Sequence, residues 1–236
     1  MGVREQRRLA TEAEILRVAR AHLTRYGAAA LSLRAIAREL GMVSSGIYRY
    51  VDSREELLTR LIIRAYTSLA EAVTRAHDAV DPADLDARWD AIGNALHAWA
   101  LANPQDFALV YGSPVPDYTA PAERTTGPGT AVLALLTRLL DEACRAGRVP
   151  RSEGDEHGAL EAAGAFLDDD EFFAGTSLDA EALARGLSAW TLLLGAVTSD
   201  VFHQLGPVPD TRALFAWHLA RARELCLTPA SSIESR

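Results

Sequence analysis

The chain has 236 residues, a net charge of −8 and only two cysteines, and 49% of its residues are hydrophobic. This length allows a sizeable core to be buried. Cys144 and Cys226 belong to no Cys-x-x-Cys motif, which favours free thiols over a disulfide framework or a metal site. No run of 18 uninterrupted apolar residues and no secretory leader pattern occurs, so we expect a cytoplasmic protein without a transmembrane helix.

The apolar pattern has a helical period along nearly the whole chain, and β-branched runs are scarce. This favours an all-α fold class. The charge is unevenly divided: residues 1–75 carry 13 arginines and 8 acidic residues, whereas residues 76–236 carry 11 arginines and 24 acidic residues. A basic N-terminal part on an acidic remainder is typical of a protein whose N-terminal end alone meets phosphate.

The first predicted helix begins at a capping box formed by Thr11 and Glu14 and stops at Gly27. Three arginines precede it, and the pattern predicts that they lie on an arm outside the helix.

Two short helices joined by a tight turn are predicted next. Ser32 can cap the first of them, and Gly41 supplies the positive φ that ends a helix and turns the chain. Ser44 and Ser45 can cap the second. These are the parts of a helix-turn-helix, and the small residues allow the second helix to approach the floor of a DNA groove. DNA binding is therefore the leading hypothesis.

A third helix follows this motif, opened by a capping box of Ser53 and Glu56 and predicted over residues 54–76. Asp81 and Pro82 then break the chain. We expect an N-terminal DNA-binding domain over 1–55, a connecting helix, a C-terminal regulatory and dimerisation domain over 77–228, and a flexible tail over 229–236.

The segment around the predicted turn resembles the DNA-binding domain of the tetracycline-repressor (TetR) family of bacterial regulators. The matching residues are Ile36, Ala37, Leu40, Gly41, Ser44, Gly46, Tyr48, Arg49, Tyr50, Glu55, Leu57 and Leu58. Val51 departs from the family's usual Phe and Arg54 from its usual Lys, and neither change removes the apolar or the basic character. The resemblance implies a homodimeric regulator, most often a repressor.

Further helices are predicted along the C-terminal domain. They span 85–102, a short stretch containing Phe107 and Tyr111, 130–145, 159–167, a long apolar segment opened by Ser177, and a last helix capped by Asp210. The proline-rich residues 113–129 are predicted to exclude helix.

This domain resembles a subgroup of the family with a so-called WHG-type C-terminal domain. The matching pieces are Ala102-Asn103-Pro104, the run from Tyr111 to Tyr118, and Ala189-Trp190 with Gly195. The subgroup often has Gly at the position that His203 occupies. We interpret His203 either as a polar anchor for a ligand on an apolar helix face or as a satisfied core or interface histidine.

Eight residues are predicted to contact DNA. They lie on the second helix of the motif, or near the starts of the helices before and after it: Arg34, Ser44, Ser45, Gly46, Tyr48, Arg49, Tyr50 and Arg54. The hydroxyls would donate to phosphates, and Arg49 would reach a phosphate or a guanine edge. Successive positions on a helix cannot all face DNA, so the alternative makes one of the two tyrosines a core residue.

Five aromatic residues of the C-terminal domain are candidates for a ligand cavity between helices, namely Trp99, Phe107, Tyr111, Phe166 and Trp190. The same residues could instead fill the core. The acidic run from Asp168 to Glu171 has the composition of a metal site, but its carboxylates are consecutive and no His stands at ligand spacing. We therefore interpret it as a solvated acidic run. No cofactor is expected.

The last two helices carry more apolar residues than one packing face requires, which predicts that they also pair with a second copy of the chain. The residues expected at this dimer interface are Leu187, Leu194, Val201, Phe202, Leu214 and Trp217.

The resemblance to the TetR family therefore implies a repressor with three partners: double-stranded operator DNA, a second copy of itself, and an unidentified, largely apolar effector. A regulator without small-molecule control is the alternative. An all-helical enzyme is a further alternative, weakened because the chain has no nucleophile elbow and no Gly-rich phosphate loop.

Overall fold

A computed structural model of the chain describes residues 2–151, 157–169, 171–173 and 175–228. All regular structure in these residues is helical, which confirms the predicted all-α class. The helices are α1 (Val3–Tyr26), α2 (Leu33–Glu39), α3 (Ser44–Ile47), α4 (Arg54–Asp78), α5 (Leu85–Ala102), α6 (Pro104–Tyr111), α7 (Ala122–Arg145), α8 (His157–Asp169), α9 (Ala180–Val201) and α10 (Thr211–Cys226).

The chain forms two compact units. The N-terminal unit consists of Met1–Ser68 and Asn103–Thr130, and the C-terminal unit consists of Leu69–Ala102 and Ala131–Arg236. The helix-turn-helix segment therefore shares its unit with α6, with the loop that follows α6, and with the first residues of α7.

The core of the N-terminal unit is a single apolar cluster that joins α1, the two short helices and the start of α4. Its buried members are Ile15, Val18, Ala19, Leu23, Leu31, Leu33, Ile36, Ala37, Ile47, Val51, Leu57, Leu58 and Leu61. Leu109, Val115 and Tyr118 pack against the same cluster from outside the helix-turn-helix. Apolar burial thus holds the two short helices, which are too short to be stable alone.

The C-terminal unit is organised around α9, which packs against α5, α8 and α10. His97 on α5 lies within 2.7 Å of the Asp200 carboxylate on α9, and its ring stacks on Phe215 of α10 at 3.7 Å. Gly93 permits the close approach of α5 to α10, since a Cβ there would lie 2.3 Å from a methyl group of Leu219.

Two predicted N-terminal caps are wrong, each for its own reason. α1 begins at Val3, and the hydroxyl of Thr11 donates to the carbonyl of Arg7 one turn earlier, so Thr11 is an interior residue and the arginines before it lie on the helix. In α3, Ser44 and Ser45 are already the first two helical residues, so neither caps the helix, and Val43 precedes them without a side-chain cap.

Two further predictions fail in the second half of the chain. α7 begins at Ala122 and contains Pro128, so helix does cross the proline-rich stretch. A proline removes one backbone donor, but this loss does not end the helix here. α9 begins at Ala180 rather than Ser177, because the Asp179 carboxylate accepts the N–H of Ala182 at 2.9 Å and caps the helix.

The remaining predicted caps are confirmed. The Ser32 hydroxyl accepts the N–H of Ala35 at 3.5 Å, Ser53 accepts the N–H of Glu56 at 3.1 Å, and Asp210 accepts the N–H of Ala213 at 2.8 Å. The Glu56 side chain, however, does not complete the capping box, because its carboxylate binds two arginines described below.

His203 lies just beyond the end of α9 and not on a helix face, contrary to the sequence-based interpretation. Its φ is +53°, and the next residue, Gln204, donates its N–H to the carbonyl of Ser199 at 2.9 Å. This is the left-handed position that closes a helix and that favours glycine. The geometry explains why a glycine suits this position in related sequences.

Replacing His203 with glycine is expected to raise the free energy of unfolding by about 1 kcal/mol, since a left-handed backbone costs a non-glycine residue about 1–2 kcal/mol and glycine costs some backbone entropy. Chemical denaturation of His203→Gly measures the change. Gln204→Gly is the matched control, because Gln204 has no positive φ and should gain nothing. A variant His203→Gly no more stable than the original chain would contradict the expectation.

Candidate nucleic-acid interface

The helix-turn-helix is closed by backbone hydrogen bonds around Gly41. Gly41 adopts φ +65°, and the N–H of Met42 donates to the carbonyl of Ala37 at 2.8 Å. The turn therefore takes the left-handed conformation that the sequence predicts for Gly41. α3 begins three residues after it and carries the candidate contacts.

α3 is shorter than the sequence pattern predicts: it ends at Ile47, and Tyr48, Arg49 and Tyr50 lie in the turn that follows it rather than on a helix. One side of this segment is anchored in the core and the other faces solvent. Ile47 and Val51 are fully buried, so the Val that replaces the usual Phe still fills its place. Ser44, Ser45 and Arg49 are exposed. The Tyr48 side chain is also exposed, at 44%. Four of the eight predicted contacts thus form one outward polar surface.

Two other predicted contacts lie inward. Tyr50 is half-buried and packs against the apolar cluster, so it is the core tyrosine that the alternative interpretation required. Gly46 is half-buried as well, and a Cβ there would lie 3.3 Å from a methyl group of Val43. Gly46 therefore permits tight packing at the start of α3.

The two arginines outside α3 differ in their surroundings. Arg34, on the first turn of α2, is exposed. Arg54, at the start of α4, donates from Nη2 to the carbonyls of Ala28 at 3.1 Å and Ala29 at 3.5 Å. Arg54 therefore ties α4 to the segment between α1 and α2, a role that its spacing in the sequence does not indicate.

A network of charged groups links the end of the helix-turn-helix to α7. Glu56 accepts hydrogen bonds from Arg60 at 2.6 Å and from Arg124 at 2.6 and 3.2 Å. Arg60 also donates to the carbonyl of Tyr50 at 3.0 Å. The Arg124 and Arg60 guanidiniums lower the pKa of the Glu56 carboxyl to about 2. The i,i+4 spacing of Glu56 and Arg60 is visible in the sequence, but the distant partner Arg124 is not.

Replacing Glu56 with glutamine is expected to lower the free energy of unfolding at pH 7 by about 1–2 kcal/mol, because charge-assisted hydrogen bonds contribute about 1.5–3 kcal/mol and this one is partly solvated. The carboxyl pKa is lower in the folded chain than in the unfolded chain, so the unfolded chain binds the proton more tightly. The stabilisation is complete above pH 4.5 and is lost as the pH falls towards about 2.

Urea denaturation of Glu56→Gln and the original chain at pH 7 and pH 3 measures this effect. Glu14→Gln is the control, since Glu14 forms an exposed ion pair with Arg17 on a single helix. An equal loss of stability at both pH values would show that the Glu56 charge is not responsible.

The five aromatic candidates for a ligand cavity do not share one surface. Phe107 is fully buried and Tyr111 half-buried in the N-terminal unit, where their rings pack at 5.3 Å. In the C-terminal unit, Trp99 is buried, Trp190 is half-buried and Phe166 is 45% exposed. None of the five lines either of the two pockets considered below.

The residues expected at a dimer interface divide by exposure. Leu187, Phe202 and Trp217 are exposed at 41%, 38% and 57%. Leu194 and Leu214 are half-buried. Val201 is buried within the chain, so it belongs to the core and we remove it from the interface. Leu205, which the sequence reasoning missed, is exposed at 57% just beyond α9.

The described residues contain no candidate metal site. No group of three or more His, Cys, Asp or Glu side chains there is arranged to hold a metal ion, and the side chains of the acidic run from Asp168 to Glu171 lie outside what the structure describes. Cys144 and Cys226 are free thiols, and burial raises the pKa of the Cys226 thiol to about 12. None of the described helices combines the length and the hydropathy needed to cross a membrane.

Comparison with known proteins identifies the family to which the chain belongs. Residues 15–61 match the family model described as bacterial regulatory proteins of the tetR family, and residues 89–222 match the model described as the Tetracyclin repressor-like, C-terminal domain. The HTH-type transcriptional regulator Rv1816 of Mycobacterium tuberculosis is 38% identical over 206 residues, which cover 87% of each chain. The chain belongs to the TetR family.

Solved structures agree with this TetR-family assignment. The regulatory protein SCO4313 is 35% identical and superposes with a TM-score of 0.75 over 94% of this chain and 98% of its own. A protein from Rhodococcus sp. RHA1 is 24% identical, with a TM-score of 0.67 over 91% and 95% of the two chains, and shares the fold. This TetR-family regulator is therefore a DNA-binding transcriptional regulator with an N-terminal helix-turn-helix.

Proposed function

We propose that this regulator is a repressor that binds a palindromic operator as a homodimer and leaves it when a small, largely apolar ligand binds. The observation that carries the proposal is the division of the segment formed by α3 and the turn after it into a buried face and an exposed face. Its inner face is anchored by Ile47, while Ser44, Ser45, Tyr48 and Arg49 are presented together to solvent. A helix held in this way can enter the major groove with its polar face towards the bases.

Each exposed group of α3 and of the turn after it has a role that its chemistry suits. The hydroxyls of Ser44, Ser45 and Tyr48 donate to phosphates, which positions the helix without reading sequence. The Arg49 guanidinium reaches either a phosphate or a guanine edge, the latter being the commonest specific contact of an arginine. Arg34 adds a phosphate contact from α2.

Removing Arg34 is expected to reduce the salt dependence of operator binding by about one unit of slope for each half-site, because each phosphate contact releases condensed counterions. Arg34→Gln should keep the stability of the original chain. Arg54→Gln is the informative comparison, since it should also lower stability by losing the bonds to Ala28 and Ala29. Fluorescence anisotropy at a series of salt concentrations measures the slope, and a slope unchanged in both variants would exclude phosphate contact by either arginine.

The homodimer is supported by the surface of α9 and α10. Leu187, Phe202, Leu205 and Trp217 expose large apolar side chains on or next to these two helices. A groove of about 320 Å³ lies between the helices. Its lining includes Leu192, Leu205, Val208 and Leu214. We assign this surface to a second copy of the chain, since exposed apolar patches of this kind mark interaction sites. The acidic character of residues 76–236 makes DNA an unsuitable occupant.

A twofold dimer presents two copies of α3, so the operator should be a palindrome with half-sites about 34–36 Å apart, one helical turn. Incubating the purified protein with random DNA fragments and sequencing those it retains tests the proposal. We expect one enriched inverted repeat. Retention of fragments without any common sequence, or of isolated half-sites only, would overturn the proposed mode of operator binding.

Release by a ligand requires that the ligand bind more tightly to the conformation that does not fit the operator. A regulator without small-molecule control remains the second candidate, and a chain without a pocket would favour it. The pocket of the N-terminal unit, described next, supports ligand control instead. Membership in a family of transcriptional regulators argues against the enzyme alternative.

A further inference from the structure

A pocket of about 530 Å³ lies wholly within the N-terminal unit, the unit that carries the helix-turn-helix. Its walls are formed by α4, α6, the loop after α6 and the first turns of α7. Its lining includes Ile62, Tyr66, Val110, Val115, Tyr118 and Thr125. Its volume lies within the range of small-molecule sites, about 300–1,000 Å³.

The lining of this pocket carries no charge. Its fifteen residues include no Asp, Glu, Lys, Arg or His, although the chain as a whole is 24% charged. An ionised ligand would lose hydration on entering and would find no counter-charge there, which is costly. The pocket therefore suits an uncharged molecule.

The hydroxyl groups of the lining are mostly engaged as donors. Tyr66 donates to the carbonyl of Val110 at 3.2 Å, Thr125 to that of Pro121 at 2.9 Å and Thr130 to that of Thr126 at 2.9 Å. These protons are committed within the protein, whereas the oxygen lone pairs remain available as acceptors.

The Tyr118 hydroxyl also donates its proton within the protein, as the hydrogen bonds of its neighbour Thr59 show. The Thr59 hydroxyl donates its only proton to the carbonyl of Glu55 at 2.9 Å. Its contact with the Tyr118 hydroxyl, also 2.9 Å long, must then be donated by Tyr118. Four of the six hydroxyl groups that line the pocket have therefore given up their protons, and the pocket offers more acceptors than donors.

We propose that this pocket binds an uncharged ligand with an apolar body and a hydroxyl group that donates a hydrogen bond, that is, an alcohol or a phenol. The apolar body packs against Ile62, Val110 and Val115, and its hydroxyl donates to an oxygen of Tyr66, Tyr118 or Thr125. This inference rests on the proposed ligand control and specifies its site and its ligand class.

A chain of hydrogen bonds also links the wall of the pocket to the helix-turn-helix. Thr125 and Thr126 line it from the same turn of α7 that carries Arg124. Arg124 binds Glu56, and Glu56 holds Arg60, which donates to the Tyr50 carbonyl after α3. A ligand that displaces this turn of α7 therefore changes the contacts that hold the end of the helix-turn-helix.

Three probes of similar size separate the chemical classes. Thymol is a neutral phenol, thymol methyl ether lacks the hydroxyl proton, and cuminate is an anion. Isothermal titration calorimetry of the full chain without DNA should show thymol binding. The ether should bind about three- to tenfold more weakly, the value of one hydrogen bond, and cuminate about a hundredfold more weakly or not at all. Equal binding of thymol and cuminate, or no binding of thymol, overturns the proposal.

A pair of threonine variants locates the site. Thr126 and Thr119 are both exposed, but only Thr126, on α7, lines the pocket. Thr126→Trp should fill the pocket and weaken thymol binding at least about tenfold, while Thr119→Trp should bind thymol as the original chain does. Equal loss, or no loss, in the two variants assigns thymol to another site and overturns the assignment. Circular dichroism checks that both variants are folded.

Operator binding is measured separately, so that failure of the pocket and failure of the proposed repressor are distinguishable. Binding of the palindrome without any probe tests the repressor alone. Thymol should then lower operator affinity, and Arg124→Gln should bind thymol normally while its operator affinity responds less. An equal response in Arg124→Gln overturns the route through Glu56.

Discussion

Arg49→Ala is expected to abolish operator binding at concentrations where the original chain is saturated. Arg49 is exposed in the turn directly after α3, close in sequence to Ser45 and Tyr48, and no basic side chain lies on α3 itself. A bidentate contact to a base contributes about 1–3 kcal/mol of discrimination. A dimer loses the contact at both half-sites, so the total loss is about 2–6 kcal/mol.

Gel-shift titration with the retained palindrome measures this loss. Arg17→Ala is the matched control, because it also removes one positive charge from the N-terminal unit but Arg17 is paired with Glu14 on α1. The control should bind the operator within a few-fold of the original chain. Equal losses in the two variants would attribute the effect to charge alone, and normal affinity in Arg49→Ala would exclude Arg49 from the interface.

Trp217→Glu is expected to convert the dimer to a folded monomer. Trp217 exposes 57% of its surface on α10, so a charge there does not disturb the core of its own chain but would lie unpaired in the proposed interface. Leu194→Glu is less informative, since Leu194 is half-buried and its replacement would also disturb the core. Loss of the second copy should reduce operator affinity by about 10²–10⁴, because the two half-sites are no longer engaged together.

Sedimentation at micromolar concentration distinguishes one chain mass from two. Ala98→Glu, an exposed position on α5, is the control and should remain dimeric. Thermal unfolding followed by circular dichroism shows whether Trp217→Glu is still folded. A folded Trp217→Glu dimer would place the interface elsewhere on the chain.

The helix-turn-helix was predictable because its determinants are local. Ser32 caps a helix that starts at the next residue, and Gly41 adopts the positive φ that its lack of a Cβ allows. The periodic spacing of Ile36, Ala37 and Ile47 likewise indicates the face that is buried. Such features depend on residues only a few positions apart, so the sequence contains them directly.

The errors at helix ends have a common physical cause. Thr11 has the residue type of a cap, yet α1 continues through it, because a cap is used only where the chain leaves the helix. Pro128 likewise lies inside α7, although prolines commonly end helices. In both cases the residue type permits a helix to end without enforcing it, and the local pattern does not show which of the two occurs.

By itself, the sequence determined the all-α class, the helix-turn-helix and the family, since these follow from periodicity, turn chemistry and a contiguous motif. Only the tertiary structure decided which side chains around them are free to act. It placed Tyr50 in the core and Arg49 in solvent, joined Arg124 to Glu56 across 68 positions, and grouped an uncharged pocket with the DNA-binding unit. These relations depend on contacts between distant parts of the chain, and spacing along the sequence carries no record of such contacts.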